Sequence, residues 1–349
     1  MRIMWSIHLY PPIHNCGAEY VAHNINKYLL SKGHEVRILN LQSTQTYHYE
    51  GVDVFGNVSA NMSNLDVYRW ADVVLTHLDF TRYTINVASI IKRPVIHFVH
   101  NSFKYEEVET AEKPQSVVYN SHWVKEELSY KHRGMILYPP CPIDEYSIGT
   151  YRKPGEYITL INLNENKGGW IFYRLAKEMP DRKFLGVTGS YDDGGLQPTI
   201  IKMLESLPNV KVVKHSNNVK EIYKQTRILL VPSRYESWGR VATEAMINGI
   251  PVIACPTKGL IENCKGGATF VNPRGNRTMN QYNEVITHDG DSYDISLFKF
   301  FIGELDKQSF YEECSIAGYN RAIELEYAYV NQMKELEKFL IDAKQDYRY

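Results

Sequence analysis

The sequence predicts an α/β fold of two domains, each built on a doubly wound parallel sheet. Short apolar runs of strand length alternate with amphipathic helical segments along most of the 349 residues, and this alternation is typical of parallel sheets covered by helices. The length is generous for one domain and comfortable for two. A stretch rich in proline, glycine and tyrosine, residues 139–153, interrupts the alternation and is predicted to be the linker between the domains.

The first domain is predicted over residues 1–145, where seven apolar runs of strand length occur. The first run, Arg2–Ile7, leads into a helix predicted over Ala18–Lys32, and Gly33 lies where such a helix ends. Helical segments separate the later runs, as the crossover connections of a parallel sheet require. Those runs are Glu35–Asn40, Val52–Phe55, Asp72–Thr76, Pro94–Val99, Val117–Asn120 and Met135–Tyr138.

The second domain is predicted over residues 150–327 and repeats the same alternation. A helix over Trp170–Glu178 follows its first apolar run, and a nearly uninterrupted helical stretch, Ser309–Lys344, ends the chain. The predicted strands are Tyr157–Leu163, Lys183–Val187, Val210–Val213, Arg227–Val231, Pro251–Ala254 and Thr269–Val271.

The composition excludes several classes of protein. A hydrophobic fraction of 44% with 23% charged residues is ordinary for a globular protein, and a net charge of −1 gives no general attraction to nucleic acid or to an anionic membrane. There is no run of 18 apolar residues, so we expect no transmembrane segment, although peripheral contact with a membrane stays compatible with the sequence. Five cysteines without a zinc or redox spacing, and an N-terminal apolar run too short for a signal peptide, predict a cytoplasmic protein with reduced thiols.

Two glutamates in the second half, Glu236 and Glu244, lie eight residues apart between two apolar runs. Glu236 is predicted in the loop after a strand, and Glu244 in the helix that starts near Gly239. The start of that helix offers backbone N–H groups and the positive end of the helix dipole, which suit phosphate. The carboxylates suit neutral groups rich in hydroxyls, such as a ribose or a hexose. From their spacing alone, both glutamates could equally be solvated surface residues.

The sequence around these glutamates, PSRYESWGRVATEAMINGIPVIA, resembles the signature of the retaining glycosyltransferases of family 4. Those enzymes have the GT-B fold, in which two Rossmann-like domains face a central cleft. The resemblance implies a nucleotide-sugar donor on the second domain, an acceptor on the first, and a C-terminal helix, residues 328–349, that packs back on the first. The residue matching Glu236 contacts hydroxyls of the donor sugar, and the residue matching Glu244 binds the nucleotide ribose. The resemblance places three backbone segments beside the sugar and pyrophosphate, those of Ser237, Trp238 and Gly239.

A second motif, INLNENKGGW, matches the family's pattern of a basic residue, four residues, then Lys-Gly. The resemblance assigns to Lys167, which precedes Gly168, the neutralisation of the pyrophosphate. Asn162 stands where many members have arginine, so one expected cation is missing. Asn162 can still donate a hydrogen bond to the donor, and we expect Arg240 or Lys258 to supply the missing charge.

Two further motifs lie in the first half. The sequence CGAE contains Gly17 and resembles the family's Gly-Gly-Ala-Glu loop beside donor and acceptor, with Cys16 in place of one glycine. Gly17 is either a simple tight turn or the place where a donor approaches the backbone. The strand PVIHFVHNSF carries His97 and His100. His100 matches the family's histidine at the strand end beside the transferred sugar, whereas His97 is expected to be structural.

The resemblance implies a retaining and metal-independent transfer from a UDP- or GDP-sugar to the hydroxyl of a glycan or another acceptor. No D-x-D motif is present at a strand end near the donor residues, since Asp192 and Asp193 are adjacent, so neither a metal nor another cofactor is expected. The predicted catalytic residues are His100, Glu236 and Lys167. The leaving phosphate itself is expected to take the acceptor proton in a front-face reaction, and the weaker candidates for a base are His215 and Asn218.

Three alternatives stay open from the sequence. The protein could be another GT-B enzyme, an epimerase or a phosphorylase. It could be a non-catalytic protein that binds a nucleotide-sugar or a glycan, although Glu236, Glu244, Lys167 and His100 together disfavour this. It could also glycosylate modified bases in DNA, which would need a local basic patch that the sequence does not reveal.

Overall fold

The computed structural model describes residues 1–14, 16–57, 63–111, 115–149, 154–189, 195–216, 218–273, 277–279, 285–287 and 294–347. The chain forms two compact units. The first comprises Met1–Pro140 together with Tyr327–Tyr349, and the second comprises Cys141–Glu326. The predicted linker begins where the first unit ends. Its residues 150–153 lie outside the described residues, as do Asp192 and Asp193, the adjacent aspartates considered for a metal motif.

The first unit is built on an eight-stranded sheet. Its strands are β1 (Arg2–Ile7), β2 (Glu35–Asn40), β3 (Tyr47–Tyr49), β4 (Val52–Gly56), β5 (Val73–His77), β6 (Val95–Val99), β7 (Ser116–Tyr119) and β8 (Arg133–Ile136). Its helices are α1 (Gly17–Ser31), α2 (Ser63–Trp70), α3 (Thr81–Ile90), α4 (Glu106–Glu109) and α5 (His122–Leu128). The seven predicted runs each coincide with one of these strands to within two residues at either end.

The strand order of the first sheet is β3-β4-β2-β1-β5-β6-β7-β8. All neighbours are parallel except β3 and β4, which pair antiparallel. One short antiparallel strand therefore extends the predicted parallel sheet at this edge. The two strands are joined by Glu50 and Gly51, whose φ angles of 43° and 84° are the positive values that a type I′ hairpin turn needs.

The path of the chain through the first sheet reverses once. From β1 it winds outward through β2 to β4, and from β5 it winds the other way to β8. The reversal lies between β1 and β5, which are neighbours. In open α/β sheets, ligands bind beyond the carboxyl ends of the strands at such a reversal. The loops after β1 and β5 are therefore the first place to look for a site in this unit.

The second unit has a six-stranded sheet of order β11-β10-β9-β12-β13-β14, with every neighbouring pair parallel. The chain winds from β9 to β11 on one side and from β12 to β14 on the other, so the reversal lies between β9 and β12. Its strands are β9 (Tyr157–Ile161), β10 (Lys183–Val187), β11 (Val210–Val213), β12 (Thr226–Val231), β13 (Val252–Ala254) and β14 (Thr269–Phe270), and a separate antiparallel hairpin joins β15 (Arg277–Met279) to β16 (Val285–Thr287).

Helices cover the second sheet and end the chain. They are α6 (Ile143–Tyr146), α7 (Gly169–Glu178), α8 (Gln197–Glu205), α9 (Val219–Gln225), α10 (Arg240–Ile247), α11 (Lys258–Cys264), α12 (Ser296–Glu304) and α13 (Gln308–Asp346). In the first unit, residues near the end of α13, among them Met333, Leu336 and Leu340, share one hydrophobic cluster with β1 and β2. Burial of these apolar side chains fixes the end of α13 to that sheet.

Two observations concern the predicted absence of a transmembrane segment and the state of the cysteines. Among the helices that the structure describes, none combines the length and the apolar character needed to span a bilayer. The five cysteines are all free thiols, and three of them, Cys141, Cys255 and Cys264, are buried.

Candidate functional site

The winding reversal of the second sheet places the loop after β9 against the loop after β12. The backbone N–H of Arg234 donates to the carbonyl of Asn166 at 2.9 Å, and its guanidinium donates to the Glu165 carboxylate at 2.7 Å. Gly168 has a φ of 91°, and a Cβ added there would lie 2.5 Å from Cγ of Pro232. The Lys-Gly turn that the sequence singled out therefore needs its glycine for two reasons, the left-handed backbone and this close approach.

Lys167 and Glu236, predicted to act on different parts of one ligand, are in direct contact. Lys167 Nζ donates to Glu236 Oε1 at 2.7 Å, and Ser233 Oγ donates to the same oxygen at 2.9 Å. The side chains of Lys167 and Glu236 are 25% and 12% exposed, so Glu236 is not the solvated loop residue that spacing alone allowed. We call these three residues the Lys167 cluster. Ser233 was not predicted, although its place directly beyond β12 could have pointed to it.

The loop from Glu236 to Gly239 is held in place by α11. Asn263, which is fully buried, donates from Nδ2 to the carbonyls of Trp238 and Gly239, each at 3.0 Å. A Cβ at Gly259 would lie within 2.6 Å of the backbone of both Glu236 and Ser237. The buried ring of Trp238 faces inward with this loop. The backbone of the predicted residues 237–239 is thus rigidly positioned, through Gly259 and Asn263, which the sequence did not mark.

Helix α10 begins directly after Gly239. This residue has a φ of 86°, and a Cβ there would lie 2.5 Å from Cδ2 of Leu260. A glycine has no side chain with which to cap the first turn, so the helix start presents its backbone N–H groups and its positive dipole end to the adjoining loop. This is the arrangement that binds a phosphate or another anion.

Glu244 lies one turn into α10 and is only 6% exposed. Its interpretation as a solvated helix residue is therefore wrong. Tyr223 donates its hydroxyl to Glu244 Oε2 at 2.7 Å, and a guanidinium nitrogen of Arg240 lies 3.4 Å from Oε1. Arg240 also donates to the hydroxyl of Tyr146. We call these four residues the Glu244 cluster.

Two members of the Glu244 cluster, Tyr223 and Arg240, have shifted pKa values. Burial, reinforced by the charge on Glu244, raises the pKa of Tyr223 well above its usual value, so Tyr223 stays a neutral donor. Burial alone would lower the pKa of Arg240, but its contacts with Tyr146 and Glu244 raise it overall. The charge of Arg240 is thus directed at Glu244. Arg240 and Lys258 are the two cations expected to replace the charge that is missing at Asn162, and of these Lys258 is exposed.

Asn162 has a specific backbone role at the end of β9. Its φ is 76°, a left-handed conformation that asparagine tolerates better than most residues. Its side-chain oxygen accepts a hydrogen bond from the N–H of Asn164 at 3.1 Å. The residue that departs from the family pattern therefore shapes the turn leading to Lys167.

In the first unit, two histidines meet at the carboxyl ends of neighbouring strands. His100 follows β6, and its Nε2 lies 2.9 Å from Nδ1 of His77, the last residue of β5. Burial lowers the pKa of His100 to about 4 and that of His77 well below its usual value, so both rings are neutral at pH 7. His77 was not predicted, although its position at the end of a strand could have indicated it.

The hydrogen bond between these histidines favours one pair of tautomers. His77 Nε2 is buried, and none of the described residues offers it a hydrogen bond. A buried N–H without an acceptor is rarer than a bare acceptor, so the proton of His77 belongs on Nδ1, where it donates to His100 Nε2. His100 then carries its own proton on Nδ1 and can donate it to a ligand hydroxyl oxygen.

His97 and Gly17 behave differently from each other. His97 is 1% exposed, its Nδ1 lies 3.1 Å from Thr81 Oγ1, and burial lowers its pKa to about 3, as expected for a structural histidine. Gly17 begins α1, and a Cβ added to it would meet nothing within 4 Å. The fold therefore does not need glycine at position 17, which leaves room for an approaching ligand.

The weaker base candidates, His215 and Asn218, lie after β11, which is the edge strand of the second sheet. Both are exposed. Two strands separate β11 from β12, so the carboxyl end of β11 is on the order of 14 Å from the start of the Glu236 loop. The structure does not bring these residues together with the Lys167 cluster.

One segment of the chain matches a known family model. Residues 163–281, which include the Lys167 cluster and three members of the Glu244 cluster, Tyr223, Arg240 and Glu244, match the family model described as glycosyl transferases group 1. Among curated proteins, none matches this chain in sequence.

Solved structures match nearly the whole chain. A glycosyltransferase from Rickettsia africae has a TM-score of 0.71 at 14% identity, with 99% of this chain and 98% of that chain covered. Sucrose-phosphate synthase from Thermosynechococcus elongatus and HepE from Anabaena, the latter solved with UDP and glucose, each give a TM-score of 0.71 at 16% identity, with 98% of this chain and 100% of theirs covered. The fold is therefore GT-B, and the comparisons together support a glycosyltransferase.

Proposed function

We propose that this protein is a retaining, metal-independent glycosyltransferase that moves a sugar from a UDP- or GDP-sugar to the hydroxyl of a glycan or another acceptor. The observation that carries the proposal is the contact of Lys167 with Glu236 at the winding reversal of the second sheet. This contact lies inside the segment that matches the glycosyltransferase family model. The structure of HepE with UDP and glucose makes a UDP-sugar the first donor to test.

Two groups stabilise the negative charge that develops on the departing diphosphate. Lys167 supplies one cation on a turn fixed by Gly168, and the uncapped start of α10 supplies backbone N–H groups. Such preorganised groups stabilise charge in the transition state without having to reorganise. Because Asn162 leaves one expected cation out, Lys258 at the start of α11 is proposed to contribute to the same charge.

The two glutamates orient the neutral parts of the donor. Glu236 accepts hydrogen bonds from sugar hydroxyls, and its ion pair with Lys167 joins the sugar contact to the diphosphate contact. Glu244 accepts from the ribose hydroxyls, and Tyr223 and Arg240 fix its carboxylate in one orientation. Hydrogen bonds to a charged acceptor contribute about 1.5–3 kcal/mol each, which is enough to select a ribose.

In the reaction that we propose, the bond between the anomeric carbon and the diphosphate oxygen breaks, and the acceptor oxygen bonds to the same face of that carbon. The acceptor proton passes to the departing phosphate oxygen, so the products are the glycoside and the nucleoside diphosphate. His100, neutral at pH 7, donates from Nδ1 to a sugar or acceptor oxygen and takes no proton itself.

A panel of nucleotide-sugars tests the proposal, with donor affinity measured by calorimetry and nucleoside diphosphate release measured with and without acceptors. We expect one UDP- or GDP-sugar to bind, release that rises when an acceptor is added, unchanged rates in EDTA, and an unchanged anomeric configuration by NMR. Glu244→Gln should weaken donor binding at least tenfold. Glu178→Gln, which alters an ion-paired surface carboxylate of α7, is the control and should bind as the wild type does.

Other outcomes would identify the alternatives. Donor binding without release in the presence of any glycan, lipid or hydroxymethylated DNA acceptor would indicate a binding protein. Conversion of the donor without an acceptor would indicate an epimerase. An inverted product, or activity lost in EDTA and restored by Mg²⁺, would refute the retaining or the metal-independent part.

A further inference from the structure

The loop that joins β1 to α1 in the first unit brings two histidines and a glutamate together. His8 follows β1 directly, His14 lies in the loop, and Glu19 is in the first turn of α1. One ligating atom from each of the three lies within 4.8 Å of the other two. The closest pair is His8 Nε2 and Glu19 Oε1, at 2.6 Å.

Glu19 has the character of a fixed anionic ligand. It is 1% exposed, and its second oxygen accepts a hydrogen bond from the N–H of Cys16 at 3.1 Å. The backbone of the helix start therefore sets the orientation of this carboxylate.

An ion pair joins His8 to Glu19, and an edge-to-face ring contact at 5.8 Å between centroids joins His14 to His8, so the three side chains converge on one point. We propose that His8, His14 and Glu19 form a binding site for a divalent transition metal, with Zn²⁺ as the ion that fits best. Two imidazoles and one carboxylate are a ligand set typical of zinc, whereas Mg²⁺ and Ca²⁺ prefer sites made wholly of oxygen. This site involves none of the residues assigned to the diphosphate, so it stands whether or not the proposed transfer reaction is correct.

The geometry needs a small movement to hold the ion. Bonds of about 2.0–2.1 Å to zinc put tetrahedral ligand atoms about 3.3 Å apart. The His8–Glu19 contact must therefore lengthen, and the ligating atom of His14, which lies within 4.8 Å of the other two, must reach the same spacing. His14 and His8 are partly exposed, so a zinc ion held by three protein atoms has a fourth position open to water or to a ligand hydroxyl.

Calorimetric titration of the EDTA-treated protein with ZnCl₂ tests the site. We expect one Zn²⁺ per chain and an affinity at least tenfold lower in His14→Ala. Co²⁺ added in place of Zn²⁺ should give the visible absorption of a tetrahedral site in the wild type and lose it in the variant. The matched control is His48→Ala, because His48 pairs with Asp53 on the surface, where both side chains are more than half exposed; it should bind zinc as the wild type does.

His14 is a partly exposed loop residue, so its alanine variant is expected to fold, and circular dichroism without zinc checks this. Glu19→Gln is the second variant, which keeps the size of the side chain but removes its charge, and it should also lose at least tenfold in affinity. No stoichiometric binding in the wild type, or equal affinity in the wild type and His14→Ala, would refute the proposal.

Discussion

Replacing Tyr223 by phenylalanine removes one oxygen atom and leaves the buried ring in place. The lost hydrogen bond is the 2.7 Å contact to Glu244 Oε2, in a position where Tyr223 is fully buried. A hydrogen bond to a charged group contributes about 1.5–3 kcal/mol, so the second unit should lose about that much stability. Of the contacts that the described residues make with the Glu244 carboxylate, the one to Arg240, at 3.4 Å, would then be left, and the carboxylate could turn away from the ribose of the proposed donor.

The expected effect on donor affinity follows from the same figure. If half of the free energy of this hydrogen bond is lost to the bound donor, the binding free energy weakens by roughly 0.75–1.5 kcal/mol, so the affinity falls about four- to twelvefold. Calorimetry with the donor identified by the panel measures this, and hydrogen exchange of the α10 amides measures local stability. Tyr311→Phe is the matched control, since its buried hydroxyl donates at 3.1 Å to the backbone carbonyl of Arg227; it should lower stability without changing affinity.

The reasoning is refuted if Tyr223→Phe loses stability but binds the donor within twofold of the wild type and of the Tyr311→Phe control. That result would mean that the orientation of Glu244 has no influence on the donor and that its burial serves only the fold.

Further predictions concern the remaining parts of the two units. Lys167→Met should lower turnover at least 100-fold with normal circular dichroism. The control Lys183→Met, which breaks an exposed ion pair of the same unit, should leave turnover unchanged. Equal losses in the two variants would refute a specific role of Lys167 in turnover. Gly239→Ala should destabilise the second unit by about 1–3 kcal/mol because of its positive φ and close contact, while Gly17→Ala should fold with wild-type stability in urea and lose activity. The pKa of His97 is about 3 in the folded protein, against a usual 6.5, so the unfolded chain takes up a proton first as the pH falls. The stabilisation that comes from neutral His97 is complete above pH 6.5, and about 2 kcal/mol of it is lost at pH 5. Hydrogen exchange of β6 at pH 7 and pH 5 measures this, and an unchanged stability would show that His97 is already protonated in the folded state.

The sequence predicted the strands of both sheets well because most of them are apolar runs with their own local signal. It missed β3, since Tyr47–Tyr49 is three residues long and only partly buried, and its pairing depends on the turn at Gly51 rather than on its own composition. Short edge strands of this kind are determined by their neighbour, which a local pattern does not contain.

The candidate site shows the same division between local and distant information. Glu236, Glu244 and Gly239 lie within nine consecutive residues and could be found from spacing and resemblance. Their supports lie far along the chain: Tyr223 is 21 residues from Glu244, and Tyr146 is 94 residues from Arg240. Nothing in the sequence alone relates such pairs, because the sheet that brings them together is built from intervening residues.

The departure at Asn162 acquires a physical explanation from the structure. With a φ of 76°, an arginine at this position would strain the backbone by about 1–2 kcal/mol, and the turn would lose the hydrogen bond from the Asn164 N–H. In exchange for a cation, the chain has a tighter turn that sets the position of Lys167. Lys167 in turn is paired with Glu236, Arg234 with Glu165, and Arg240 with Glu244.

In the donor complex that we propose, these pairings couple the diphosphate contact to the sugar contact. The side chain of Lys167 is already three-quarters buried. A diphosphate that approaches it must compete with the carboxylate of Glu236 for the charge of Lys167. Sugar hydroxyls that donate to Glu236 offset that loss, because they give the carboxylate new hydrogen bonds as its ion pair weakens. A complete nucleotide-sugar can make both exchanges at once, whereas a nucleoside diphosphate makes only the unfavourable one. The ion pair that at first competes with the donor therefore favours the intact donor over the diphosphate product.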